Sequence, residues 1–128
     1  MARIVIYDKD LKGAMRYSLL AENKNHHVTV RLMSQIPAQD VEKLKKEGFD
    51  EVHCSFGDPR KEEADAYFVD DLCGDCFTLM EKLPKLQSYI NQSMYSPRNV
   101  SSEAKERGHN MMIYRLEFAV EEALRNKP

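Results

Sequence analysis

Two stretches of this sequence gather side chains that could do chemistry. One is an apolar run at 2–7 that ends in Asp8-Lys9-Asp10. The other is 65–83, DAYFVDDLCGDCFTLMEKL, where Asp70, Asp71 and Asp75 surround Cys73 and Cys76. If the two strands that carry the acids are neighbours, Asp8, Asp10, Asp70, Asp71 and Asp75 meet at one crevice. Like charges held that close raise one another's pKa unless a cation neutralises them. Mg²⁺ takes hard oxygen ligands and commonly keeps water and a substrate phosphate in its remaining positions. Such a set suits metal-assisted phosphoryl transfer, with one carboxylate attacking phosphorus while the metal offsets developing charge. The plainer reading is that strand-end acids face water or cap the next helix, a role open to Asp10 and Asp75.

The thiols allow three readings. A Cys-x-x-Cys at a helix start gains a lowered thiol pKa from the helix dipole and exposed amides, which would make Cys73 and Cys76 a redox pair. The acids beside them push the other way. A zinc set would draw on His53 and Cys54, but adjacent strand residues point to opposite faces. An odd count of three cysteines, with no sign of an oxidising compartment, favours buried, inert thiols. The remaining candidates carry less. His26 and His27 are expected in a solvent-facing turn, His109 in the last helix, and Met111 and Met112 in the core. Lys43, Lys45 and Lys46 lie between Glu42 and Glu47, which reads as a solvated helix face rather than a phosphate site.

The elements that must position these groups follow from periodicity. β-branched or alternating apolar runs predict strands at 2–7, 27–33, 51–56 and 65–69. Leu11, Ala14, Met15, Ser18 and Leu19 recur at helical spacing, and Pro37, Val41, Leu44 and Gly48 mark a second helix with its start and its left-handed end. A stripe from Cys76 through Leu79, Met80, Leu83, Leu86 and Tyr89 to Ile90 predicts a helix divided at Pro84. A loop near 92–102 precedes a closing helix that starts near Ser101 or Ser102 and carries Met112, Leu116, Ala119, Ala123 and Leu124. No strand is apparent after residue 70. Alternating strands and helices imply parallel strands joined by right-handed crossovers. Only 57–64 separate the third and fourth strands, a reach of at most ~28 Å, so the fourth strand either joins parallel by a taut extended crossover, the arrangement favoured because of the acids after it, or pairs antiparallel next door. The acids after that strand then fall at the reversal of strand order, where open α/β sheets bind ligands.

These motifs resemble known families. The strand ending in Asp8-Lys9-Asp10 and the segment FVDDLCGD resemble the first and last motifs of haloacid-dehalogenase-type phosphatases over about residues 3–76. That resemblance implies Asp8 as nucleophile, Asp10 as acid/base, Ser34 and Lys61 as phosphate ligands, and Asp70, Asp71 or Asp75 as metal ligands. Stretches within residues 4–69 also resemble the first half of atypical short-chain-dehydrogenase or nitrogen-regulator-type NAD(P)-binding domains. Where a pyrophosphate-binding turn needs glycines, this chain has Asp8, Leu11 and Ala14, and an Asp would repel the diphosphate. The segment VDDLCGDCFTLMEKL is similar to the strand, motif and helix of thioredoxin-like proteins.

Composition sets the frame. The chain has 128 residues, 42% of them hydrophobic and 31% charged, with a formal net charge of −2. This predicts one folded domain over 1–128, no bulk attraction to nucleic acid or anionic membrane, and a cytoplasmic location. The expected fold is a small Rossmann-like α/β domain with about four mostly parallel strands and a long C-terminal helix. The expected function is a binding or regulatory module without catalysis, acting through a protein partner, a second copy or a small phosphate-bearing ligand, because a phosphatase flap and the dinucleotide glycines are missing. The alternatives are a Mg²⁺-dependent phosphohydrolase and a thiol protein.

Overall fold

The computed structural model describes residues 1–71, 75–92, 100–112 and 115–128. Six parallel strands form one sheet: β1 (Ala2–Asp8), β2 (His26–Leu32), β3 (Glu51–His53), β4 (Ala66–Asp70), β5 (Ser88–Asn91) and β6 (Asn110–Met111). Their order is β3-β2-β1-β4-β5-β6, so the chain winds outward in one direction from β1, crosses back, and winds outward in the other. β4 lies parallel to β1, the favoured of the two arrangements left open by the short third connection, with Tyr7 opposite Val69. Residues 54–65 make that connection with a single 3-10 turn at Pro59–Lys61. The Tyr67 hydroxyl ties it down by donating to the Glu62 carbonyl at 2.7 Å and accepting from the Ala64 N–H at 2.9 Å.

Six strands rather than about four correct the expected count. The apolar stripe read as a helix divided at Pro84 and running on to Ile90 ends early: α4 covers only Cys76–Met80, a 3-10 turn spans Lys85–Gln87, and Tyr89 and Ile90 belong to β5. Pro84 cannot continue a helix, and beyond it three apolar residues suit a short buried strand as well as a helical turn. The expected long closing helix is likewise two, α5 (Ser101–Arg107) and α6 (Leu116–Arg125), with β6 between them. Gly108, left-handed at φ 73°, caps α5, and His109 follows outside any helix.

Helices cover both faces. Side chains on one face (Ile4, Ile6, Val28, Val30, Phe68) pack against α1 (Leu11–Met15), α2 (Ser18–Glu22), α3 (Ala38–Glu47) and α6. Those on the other face (Val5, Tyr7, Tyr67, Val69) pack against α4 and α5. This alternation along β1 and β4 is the two-residue period of a strand buried on both sides. The first predicted helix is broken where the Ser18 hydroxyl donates to the Met15 carbonyl at 2.7 Å, a local bond that competes with the helical ladder. The break turns Leu20 inward and leaves Leu19 outside. The second predicted helix is found as expected, with Pro37 at its N-cap and Gly48 left-handed at φ 113° after its end. Among the described residues, no helix is long and apolar enough to cross a membrane.

Candidate functional site

Parallel register decides which acids meet. Tyr7 stands opposite Val69, so the next residues along each strand on the other face, Asp8 and Asp70, are lateral neighbours at the carboxyl end of the sheet. Asn91 continues the row beside Asp70. This row lies between β1 and β4, where the strand order reverses, the place where open α/β sheets bind ligands. Above it stand Arg16, from the turn after α1, and Tyr17.

Both acids are buried, Asp8 at 0% and Asp70 at 1% exposure. The Arg16 guanidinium favours Asp70: its Nη2 lies 3.1 Å from Asp70 Oδ1 and 3.6 Å from Asp8 Oδ2. Asp8 Oδ1 accepts from the Lys9 N–H at 2.7 Å, whereas Asp8 Oδ2 meets no donor from the protein. Burial, followed by a hydrogen bond to Asp70 and the Asp70 charge, pushes the Asp8 pKa up to about 8, against the opposing pull of the Lys9 amide and Arg16. That shift favours the protonated form of Asp8 beside Asp70. A neutral acid, a carboxylate and a guanidinium together hold no net charge, the cheapest state for such groups away from water. The Asn91 amide donates to the Tyr17 hydroxyl at 3.0 Å, closing the row.

Gly13 makes this packing possible. A Cβ on Gly13 would come within 1.8 Å of Asp8 Oδ1 and 2.5 Å of Asp8 Cγ, so the carboxyl lies directly on the backbone of α1. Its nearness to the first turn after β1 puts the Asp8 carboxyl where a dinucleotide's diphosphate would have to approach.

The other predicted acids take separate work. Asp10 caps α1, accepting from the Gly13 N–H at 3.0 Å. Asp75 caps α4, accepting from the Thr78 N–H at 3.2 Å and from the Thr78 hydroxyl at 2.5 Å. The capping alternative thus describes both. Asp71 is buried just past β4. Among the described residues, no group of three or more His, Cys, Asp or Glu side chains is arranged to hold a metal ion. With Asp10 and Asp75 facing helix amides, those two carboxylates do not join Asp8 and Asp70 in one donor set. Replacing either cap, Asp10→Ala or Asp75→Ala, should cost ~1 kcal/mol of stability, read from urea midpoints. The loss should be the same with or without Mg²⁺, since each carboxylate serves helix amides.

Ser34 and Lys61 are not brought together. The Ser34 N–H donates to the Lys9 carbonyl at 3.0 Å, at the carboxyl end of β1. Lys61 lines a cleft of about 790 Å³ with Arg3, Asp65 and Lys127, at the amino end of that strand. Cys73 lies outside the described residues. Cys76 is fully buried in the core beside Phe77 and Met80. Cys54 is half-buried, and its carbonyl accepts from Gln35 Nε2 at 3.1 Å.

The histidines differ from expectation. His26 and His27 belong to β2 rather than a turn: His26 Nε2 is 2.9 Å from Glu117, and His27 Nε2 is 2.8 Å from Glu51. His27 and His53 both face Glu51 and hold its carboxyl down at about 2. The buried His109 ring stacks on Phe77 and meets Glu81 at 3.0 Å. Sequence reasoning missed Arg16, Tyr17 and Asn91. A signal for Arg16 was available, because a buried acid pair favours a nearby cation and Arg16 stands at the end of the first helix after Asp8.

Neither protein-family models nor curated proteins give a match to this chain. Among solved structures it is similar to the crystal structure of AibC, with a TM-score of 0.51 and 20% sequence identity over 97% of this chain. The match spans 38% of the AibC chain. A likeness at that identity shows a shared fold.

Proposed function

We propose that this chain is a small Rossmann-like, three-layer binding or regulatory module that acts without catalysis, through a protein or small phosphate-bearing partner in the cytoplasm. The observation that carries this reading is the state of Asp8. A phosphohydrolase nucleophile must be within reach of phosphorus, whereas the Asp8 carboxyl is wholly buried and pressed onto Gly13. A diphosphate approaching the first turn would need the space and the amides beside that carboxyl. The domain keeps the sheet order and the reversal point of a ligand-binding fold, and fills the reversal point with its own neutralised acid pair.

The test is hydrolysis of an aryl phosphate with Mg²⁺ or Mn²⁺, together with the thermal midpoint across a metal titration, for the wild type and the Asp8→Asn/Asp70→Asn variant. The expected result is no turnover and a midpoint that metal moves equally in both proteins. Turnover lost in Asp8→Asn, or a metal-dependent rise confined to the wild type, would overturn the reading in favour of a phosphohydrolase.

A further inference from the structure

On the face of α6 away from the sheet, apolar groups remain in the open. Phe118 is 48% exposed and Leu124 41%, and the neighbouring Leu19 of α2 is 72% exposed. Phe118 and Leu19, with Met112 and Leu116, border a groove of about 630 Å³ whose remaining lining is charged: Arg115, Glu117 and Glu121. Single exposed apolar residues need no explanation, but a contiguous group rimmed by charge marks an interaction surface.

The charges on this face are not equivalent. Glu117 is used internally, accepting from Asn23 Nδ2 at 3.2 Å and pairing with His26, which fastens α6 to the start of β2. Arg115 lies over the Phe118 ring, 5.0 Å from its centroid, and it has no ion pair among the described residues. Glu121 is exposed and likewise has none. Arg115 precedes Phe118 by three residues and Glu121 follows it by three, so opposite charges flank the aromatic ring symmetrically along the helix. A helix with that pattern is complementary to itself when two copies run antiparallel. A two-fold axis at Phe118 sets each Arg115 toward the other copy's Glu121, and the apolar groups meet between the two ion pairs.

We propose that the α6 face, centred on Phe118 and flanked by Arg115 and Glu121, is an isologous docking surface for a second copy of this chain. An unrelated apolar peptide would need no mirrored charges, whereas a two-fold pairing satisfies both signs with one patch. This inference rests on the reading of the chain as a module that acts through a protein partner. The two fail separately: metal-dependent turnover removes that reading, while a monomer at every concentration removes only the dimer.

The test is sedimentation velocity over a wide concentration range, with circular dichroism as a check on folding. The wild type should show a reversible monomer–dimer equilibrium. Phe118→Asp should be monomeric with an unchanged spectrum, since the position is on the surface. Arg115→Glu and Glu121→Arg should each weaken self-association about tenfold. An equimolar mixture of these two variants should associate more tightly than either alone, because one chain then presents two acids and the other two bases. A chain that stays monomeric, a dimer indifferent to Phe118→Asp, or a mixture no tighter than its components would overturn the proposal.

Discussion

Asp8→Asn is expected to stabilise this protein at neutral and alkaline pH, and by an amount that grows with pH. Asn has the shape of the protonated acid and can still donate toward Asp70, so the variant keeps the arrangement in which Arg16 faces a single carboxylate. The sign follows from linkage. The Asp8 carboxyl has an ordinary value of 3.8 and a folded value of about 8. Between those limits the folded chain binds a proton that the unfolded chain has released, so stability falls as pH rises through the window and levels off above it. The gap between variant and wild type should therefore widen by up to ~1.4 kcal/mol per pH unit inside that window, and reach several kcal/mol above it. Urea unfolding at closely spaced pH values measures the gap directly. Because the carboxylates other than Asp70 titrate alike in both proteins, the difference between the two curves reports the interacting Asp8–Asp70 pair. Parallel curves would mean that Asp8 is ionised in the folded protein.

Gly13→Ala should destabilise the fold, against the usual trend for a helix. An alanine inside a helix is ordinarily favoured over glycine by ~1 kcal/mol. Here the new Cβ would sit 1.8 Å from Asp8 Oδ1, and the Asp8 carboxyl is fixed by the Lys9 amide and by Asp70. The crowding cost of such an overpacked site is ~1–3 kcal/mol and exceeds the helical gain. The decisive comparison is a double-mutant cycle with Asp8→Ala, which removes the obstructing carboxyl. In that background Gly13→Ala should become neutral or stabilising, giving a coupling of ~2–3 kcal/mol. A Gly13→Ala penalty of equal size in both backgrounds would place the conflict elsewhere.

The first half of the chain was the more legible. Long β-branched runs such as ARIVIYD and the Pro37–Gly48 punctuation are strong local signals, and they gave β1, β2 and α3; the parallel placement of β4 was the favoured of two arrangements, chosen because the acids at its end suit the reversal of strand order. What followed residue 70 was misread because the signals there are short and ambiguous. Ser88–Asn91 is a four-residue strand reached through a 3-10 turn, and its Tyr89 and Ile90 also fit a helical stripe carried on from Cys76. Asn110–Met111 pairs through only two residues, too few for any periodicity. Each is specified by an open sheet edge, β5 by that of β4 and β6 by that of β5, which is a tertiary cause. The site shows the same division. Asp8 and Asp70 were found because strand ends are visible in sequence, and the caps at Asp10 and Asp75 because capping is local. Their separation from Ser34 and Lys61, and the recruitment of Arg16, depend on register and on the break before Ser18. No residue-by-residue pattern announces either.

The all-parallel sheet also has a consequence in time. No two adjacent strands are joined by a hairpin, so no edge of β1 can be covered by the residues that immediately follow it. Pairing with β2 requires synthesis to reach Leu32, and pairing with β4 requires Asp70. At ~5–20 residues per second on the ribosome, the second edge of an apolar strand stays open for seconds. Contacts this distant along the chain also slow folding of the released protein. The interval between β2 and β4 is when a nascent chain is most exposed to pairing with another copy of itself, and the brevity of the 54–65 connection shortens it.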